Sequence, residues 1–269
     1  MPQHSNYDAV VIGSGPNGLA AAITLARAGR SVLVLEANDT VGGGIRSAAL
    51  TLPGFTHDIC STVQALTVVS PFFRSLPLAD YGVELIIPDA ALAHPLDDGT
   101  AAVLHRSMDA TCETLGGDAA AYRRLIEPLV ENADKLNTDL LGPFPFPPHH
   151  PLVLARFALP AILPARTLAD LIFHDEHARG LFAGIAAHTM LPLESLSTAA
   201  YGMALAIAAH VSGWPIVKGG SQNLANALAV YFRSLGGEIE LNQRVENIDA
   251  LPAARAYLFD VTPRQLVRI

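Results

Sequence analysis

The stretch from Tyr7 to Glu36 constrains this chain more than any other. An apolar run, Ala9-Val10-Val11-Ile12, enters the glycine turn Gly13-Ser14-Gly15-Pro16-Asn17-Gly18, a helix-forming segment follows, and a second apolar run, Ser31-Val32-Leu33-Val34-Leu35, ends in Glu36. Strand, glycine turn, helix, strand and acid, in that order, make the plan of a dinucleotide-binding βαβ unit. Gly13 lets the backbone turn sharply off the first strand, Gly15 leaves room for a diphosphate beside the main chain, and Gly18 lets the helix lie close to the sheet. The helix that starts after Pro16 and Asn17 offers unpaired N–H groups and the positive end of its dipole to an anion. Glu36, at the tip of the second strand, is placed to accept hydrogen bonds from ribose hydroxyls, and its charge disfavours a 2′-phosphate. A glycine-rich turn without a ligand would leave Glu36 unexplained.

The chain has 269 residues, 51% of them hydrophobic, which is ample for a packed core. Its net charge of -8, from 25 acidic and 17 basic residues without long runs of either sign, argues against nucleic acid as the main partner. Cys60 and Cys112 form no CxxC pair, so a reducing, cytoplasmic setting is the default expectation. Met1 to Asn6 is short and polar and carries no secretory pattern. Ala199 to Val211 is almost wholly apolar but too short to cross a bilayer, and reads as a buried helix. The apolar region between Pro151 and Val211 leaves a peripheral membrane contact open.

The first helix is expected from about Asn17 to Ala28, with Gly29 as its stop. Behind Glu36 and Ala37 comes a second glycine turn, Gly42-Gly43-Gly44-Ile45-Arg46-Ser47. Three successive glycines point to another close backbone approach, and Arg46 is a candidate to meet phosphate or flavin-edge oxygens. Together with Pro53-Gly54-Phe55-Thr56-His57-Asp58, these motifs resemble the phytoene desaturase-like branch of the FAD-dependent amine oxidase superfamily. The resemblance implies an α/β chain: a Rossmann-like FAD-binding domain with an inserted, partly helical α+β substrate domain. It implies FAD, with Glu36 and Ala37 at the adenosine and Gly42, Gly43, Gly44 and Arg46 beside the diphosphate and flavin. It also brings Val245 to the adenine through its backbone, and makes His57 and Asp58 weak candidates for tuning the flavin.

The inserted part is expected over 66–212, between a first FAD-binding segment, 1–65, and a return over 213–269. Within it Val83 to Ile87 reads as a strand, and Leu92 to Leu96 and Ala101 to His105 form a hairpin across Asp97-Asp98-Gly99. Asp109 to Leu115 and Asp118 to Leu141 read as helices around a Gly116-Gly117 break, with Leu125, Leu129, Ala133, Leu136 and Leu140 on one face. Gly142 to Pro151 is a proline-rich turn or linker, and its His149-His150 pair has no neighbouring cysteine or carboxylate in sequence, so no metal site is expected. His174 and His177 read as a polar helix face, and His188 and His210 are either core histidines or pocket residues. Gly219-Gly220-Ser221 precedes a helix with Leu224, Leu228, Val230, Tyr231 and Leu235 on its apolar positions, Gly236-Gly237 ends it, and Glu238 to Leu241 and Ala256 to Val261 read as strands.

The resemblance covers the first half of the family's length, so the chain looks truncated against it. Two functions follow as expectations. One is an FAD-dependent oxidoreductase of desaturase, isomerase or amine-oxidase type, moving a hydride from a lipophilic substrate to the flavin and passing electrons to an external acceptor. The other is a non-catalytic or split FAD-binding half that needs a partner chain or its missing C-terminal segment. An NAD-dependent dehydrogenase is disfavoured by the second glycine turn.

Overall fold

Short apolar runs far apart in sequence pair into one parallel sheet in the computed structural model, which describes residues 7–143 and 145–269. The polar start Met1 to Asn6 and Phe144 of the proline-rich turn lie outside the described residues. Strand β1 (Tyr7–Ile12) leads into helix α1 (Pro16–Arg27) and strand β2 (Val32–Leu35). Much later come helix α2 (Gln222–Ser234), strand β3 (Glu238–Glu240) and strand β4 (Ala254–Phe259). The strand order is β4-β1-β2-β3, all parallel, with Val10 opposite both Leu33 and Tyr257 and Val34 opposite Ile239. Val10, Val11 and all of β2 are buried, which explains why these strands read as unbroken apolar runs rather than alternating ones.

The chain divides into two compact units, one made of Met1–Val63, Pro77–Ile86 and Ile216–Ile269, the other of Gln64–Leu76 and Ile87–Pro215. Residues 77–86 thus fall in the first unit, where the sequence had put them in the inserted part. The strand expected over Val83 to Ile87 shrinks to Leu85–Ile86, paired antiparallel with Ile216–Val217.

The second unit is mostly helical, packed around the helix Thr198–Ser212, whose Ala199, Met203, Ala206 and Ala209 are buried. Its hairpin, Ala90–Pro95 against Ala101–His105, turns at Asp97-Asp98-Gly99 as expected. The single helix expected over 118–141 is instead two, Ala119–Val130 and Ala133–Leu140. Pro128 has no N–H to donate within the helix, and the Asn132 side-chain amide takes the Pro128 carbonyl at 3.0 Å, so the ladder breaks there.

His210 and the pairs His149-His150 and His174/His177 make contacts of structural kind, while His188 is exposed, with Nδ1 at 3.0 Å from the Ile185 carbonyl. His210 Nδ1 bonds the Arg106 carbonyl at 3.1 Å and its Nε2 meets the Tyr122 hydroxyl at 2.8 Å. Burial pushes its pKa below the ordinary 6.5, so it serves as a neutral core residue. Asp139, absent from the local sequence around His149 and His150, accepts both their backbone N–H groups and His149 Nδ1. His174 precedes its helix, which begins at Glu176, while His177 Nε2 meets the Thr100 hydroxyl, so the two do not share a face. Among the described residues no group of three or more His, Cys, Asp or Glu side chains could hold a metal ion. Among them, too, no single helix is long and apolar enough to cross a membrane, although the pair Pro151–Ala161 and Ala165–Ile172, bent by 97°, passes by length and composition.

Candidate dinucleotide site

At the C-terminal ends of β1 and β2 the first unit opens a groove of about 760 Å³, the size and place of a ligand site in an open α/β sheet. Its floor is the first glycine turn. Gly13 has φ +101, and a Cβ on Gly18 would lie 2.3 Å from the Gly13 carbonyl, so the helix could not approach the strand with any larger residue there. Pro16 occupies the first position of α1, where no intrahelical N–H is needed. Among the described residues, neither the Gly15 nor the Asn17 N–H has a protein acceptor, which leaves both available to an anion.

The second glycine turn packs directly on the first. Gly43, at φ +53, would place a Cβ 2.9 Å from the Gly15 Cα, and the Gly42 N–H donates to the Ser14 carbonyl at 3.0 Å. Contact with the first glycine turn is therefore the physical reason for the middle glycine, Gly43. Gly43 and Gly44 line the groove, while Gly42 lies behind it against Ala225 of α2.

Glu36 is buried at the far end, and its carboxylate is held on both oxygens. Oε2 accepts from the Ser14 N–H at 3.0 Å and hydroxyl at 2.5 Å; Oε1 accepts from the Asn38 N–H at 2.9 Å and side-chain amide at 2.6 Å. Burial opposes its charge, but the hydrogen bonds from Ser14 and Asn38 outweigh it and hold the carboxyl below its ordinary 4.5. Val245 reaches the groove because the backbone continues the β2–β3 pairing. The Gln243 N–H donates to the Glu36 carbonyl at 2.8 Å and the Asn242 N–H to the Asn38 carbonyl at 2.9 Å.

Of the residues expected to hold a cofactor, Gly13, Gly15, Pro16, Glu36, Ala37, Gly43, Gly44 and Val245 line this groove. Asn17, Gly18, Gly42 and Arg46 do not line it, and Arg46 Nε donates to the Gly43 carbonyl at 3.0 Å, bracing the second turn. His57 and Asp58 also lie off it. His57 Nε2 meets the Thr51 hydroxyl at 2.7 Å. Asp58 Oδ1 accepts from the Ser47 hydroxyl at 2.5 Å and from the Ser221 N–H at 2.7 Å, fastening the start of α2.

Ser14, Asn38, Gln243, Arg244 and Asp260 also line the groove and were not singled out in sequence. Asn38 could have been found as a polar residue two beyond the acid, whereas Asp260 reads only as the end of an apolar strand. The Cβ-free floor, the open N–H groups and the buried acid fit a dinucleotide diphosphate and ribose.

Comparison with known proteins agrees with this geometry. The model of the NAD(P)-binding Rossmann-like domain matches residues 11–76. The phytoene dehydrogenase of Streptomyces griseus is 30% identical over 251 residues, covering 89% of this chain and 48% of that protein. The hydroxyneurosporene desaturase of Cereibacter sphaeroides is 30% identical over 247 residues, covering 82% of this chain and 46% of that protein. Putrescine oxidase, in its structure with putrescine bound, shares the fold with a TM-score of 0.55 at 22% identity, over 88% of this chain and 51% of that one. The chain thus spans about half the length of these relatives.

Proposed function

Because the chain belongs to the phytoene desaturase-like branch of the FAD-dependent amine oxidase superfamily, we propose that its groove holds FAD by the adenosine and diphosphate end. We further propose that the protein moves a hydride from a lipophilic substrate to the flavin. The observation that carries the cofactor reading is the stacking of two glycine turns, Gly43 against Gly15, beside the buried Glu36. In this reading the Gly15 N–H, on the groove at the start of α1, takes the diphosphate, and Glu36, fixed by Ser14 and Asn38, presents its edge to the ribose. Val245 closes the adenine end. Flavin, when bound, supplies hydride acceptance from carbon, so no acid or base of this chain has to perform that step. An external acceptor then removes the electrons.

A lipophilic substrate is supported by the apolar side chains that the second unit leaves in solvent, among them Leu152, Leu159, Leu171 and Leu196. A small apolar cavity in that unit, about 40 Å³ between Leu66, Leu136, Phe157 and Ile207, holds little more than one water and is too small for such a substrate. The relatives' greater length favours a second reading: this chain holds the cofactor, and turnover needs further polypeptide, in the same or another chain.

Incubation with FAD followed by desalting tests the cofactor. Flavin absorbance is expected to travel with the protein and to be displaced by ADP; tighter retention of NADH than of FAD would overturn the reading. Anaerobic addition of polyene or fatty-acyl substrates then separates the two functions, since bound flavin bleaches only where catalysis is complete.

A further inference from the structure

All three glycines of the first turn face Asp260, a residue 242 positions beyond Gly18. A Cβ on Gly13 would lie 2.4 Å from the Asp260 carbonyl oxygen, one on Gly15 2.7 Å from Oδ2, and one on Gly18 2.9 Å from the same Oδ2. That oxygen accepts the Gly18 N–H at 2.8 Å, and the Asp260 N–H donates to the Ile12 carbonyl at 2.8 Å, which pins its main chain to the end of β1. A carboxylate of the protein therefore already stands at the positive end of α1, in the space that Gly15 leaves open. A ligand's diphosphate is drawn to the same partial charge.

Among the described residues, four other charged side chains line the groove. Glu36 is held by Ser14 and Asn38, and Glu246, Arg244 and Arg268 complete the charged lining. Of these, Asp260 is the acid bonded to α1.

We propose, resting on the dinucleotide reading above, that Asp260 is a specificity-determining residue of the groove. Its oxygen keeps the glycine turn in shape, and its charge limits how tightly the groove holds a diphosphate. The two roles separate chemically. Asp260→Asn keeps an acceptor for the Gly18 N–H and removes the charge; Asp260→Ala removes both.

Calorimetric titration with ADP and with adenosine, at low and high salt, tests this. Asp260→Asn is expected to bind ADP about three- to tenfold more tightly than wild type at low salt, with the gap narrowing as salt screens it. Adenosine, which has no phosphate, is expected to bind both equally, and Asp260→Ala to melt at a lower temperature than either. Should Asp260→Asn misfold, Asp260→Ser, neutral and still an acceptor, repeats the comparison. If wild type binds ADP and the neutral variants bind it no tighter, or if ADP and adenosine shift by the same factor, the role of the charge is overturned while the dinucleotide reading stands. If no variant binds ADP, both fall. If only the neutral variants bind it, the inference is upheld in its strongest form.

Discussion

Glu36 is a buried carboxylate whose cost is met by four short hydrogen bonds from Ser14 and Asn38. Glu36→Gln keeps one acceptor and turns an amide toward donors, so it is expected to cost about 2–3 kcal/mol in urea unfolding at pH 7. Because its folded pKa lies below the ordinary 4.5, the stability it contributes is present above that value and is lost as pH falls through the folded pKa. Wild type should therefore lose more stability than Glu36→Gln on acidification below pH ~4.5, and parallel losses would remove the carboxylate's role. The glycines fall into two kinds that the same measurement can separate. Gly29 has φ +72 with nothing near a Cβ, so Gly29→Ala should cost only about 1–2 kcal/mol of backbone strain. Gly18 has ordinary backbone angles but a Cβ there would strike the Gly13 carbonyl at 2.3 Å. Gly18→Ala is accordingly expected to displace α1, cost more than Gly29→Ala and lose FAD retention as well.

Helix α2 is fastened by groups from a different part of the chain, the Asp58 carboxylate on the Ser221 N–H and the Ser47 hydroxyl on the Gln222 N–H. Asp58→Ala is expected to destabilise the protein by about 2 kcal/mol, whereas His57→Ala, losing one hydrogen bond to Thr51, should stay within about 0.5 kcal/mol. An Asp58→Ala protein of unchanged melting temperature would return this residue to the list of flavin-tuning candidates. The first βαβ unit was legible because its strand, turn, helix and acid are neighbours in sequence and each residue type answers a local need. The break between Val130 and Ala133 was not legible, because the heptad-like run of Leu129, Ala133 and Leu136 is compatible with one continuous helix. Pro128, with no N–H to donate, and the competition of Asn132 for its carbonyl decide it together. Asp139 under His149 and His150, and Asp260 under the glycines, escaped for a related reason. A partner brought from elsewhere by the fold leaves no periodic trace in the sequence.

The groove lies wholly within the first unit, so ligand binding should be felt there first. Hydrogen exchange with saturating ADP is expected to slow in 7–35 and 238–259 and to leave the helix Thr198–Ser212 unchanged. At one hundred times Kd the stabilisation would be about 2.7 kcal/mol, and equal protection of both units would contradict a groove confined to one. The position of β1 has a further consequence, for biosynthesis. It sits inside the sheet with β2 on one side and β4 on the other, and β4 begins only at Ala254. At ribosomal rates of about 5–20 residues per second, β1 waits roughly ten to fifty seconds with one hydrogen-bonding edge unpaired. Throughout that interval the nascent chain carries an apolar strand ready to join any other, and a holding chaperone has its opportunity before β4 leaves the exit tunnel.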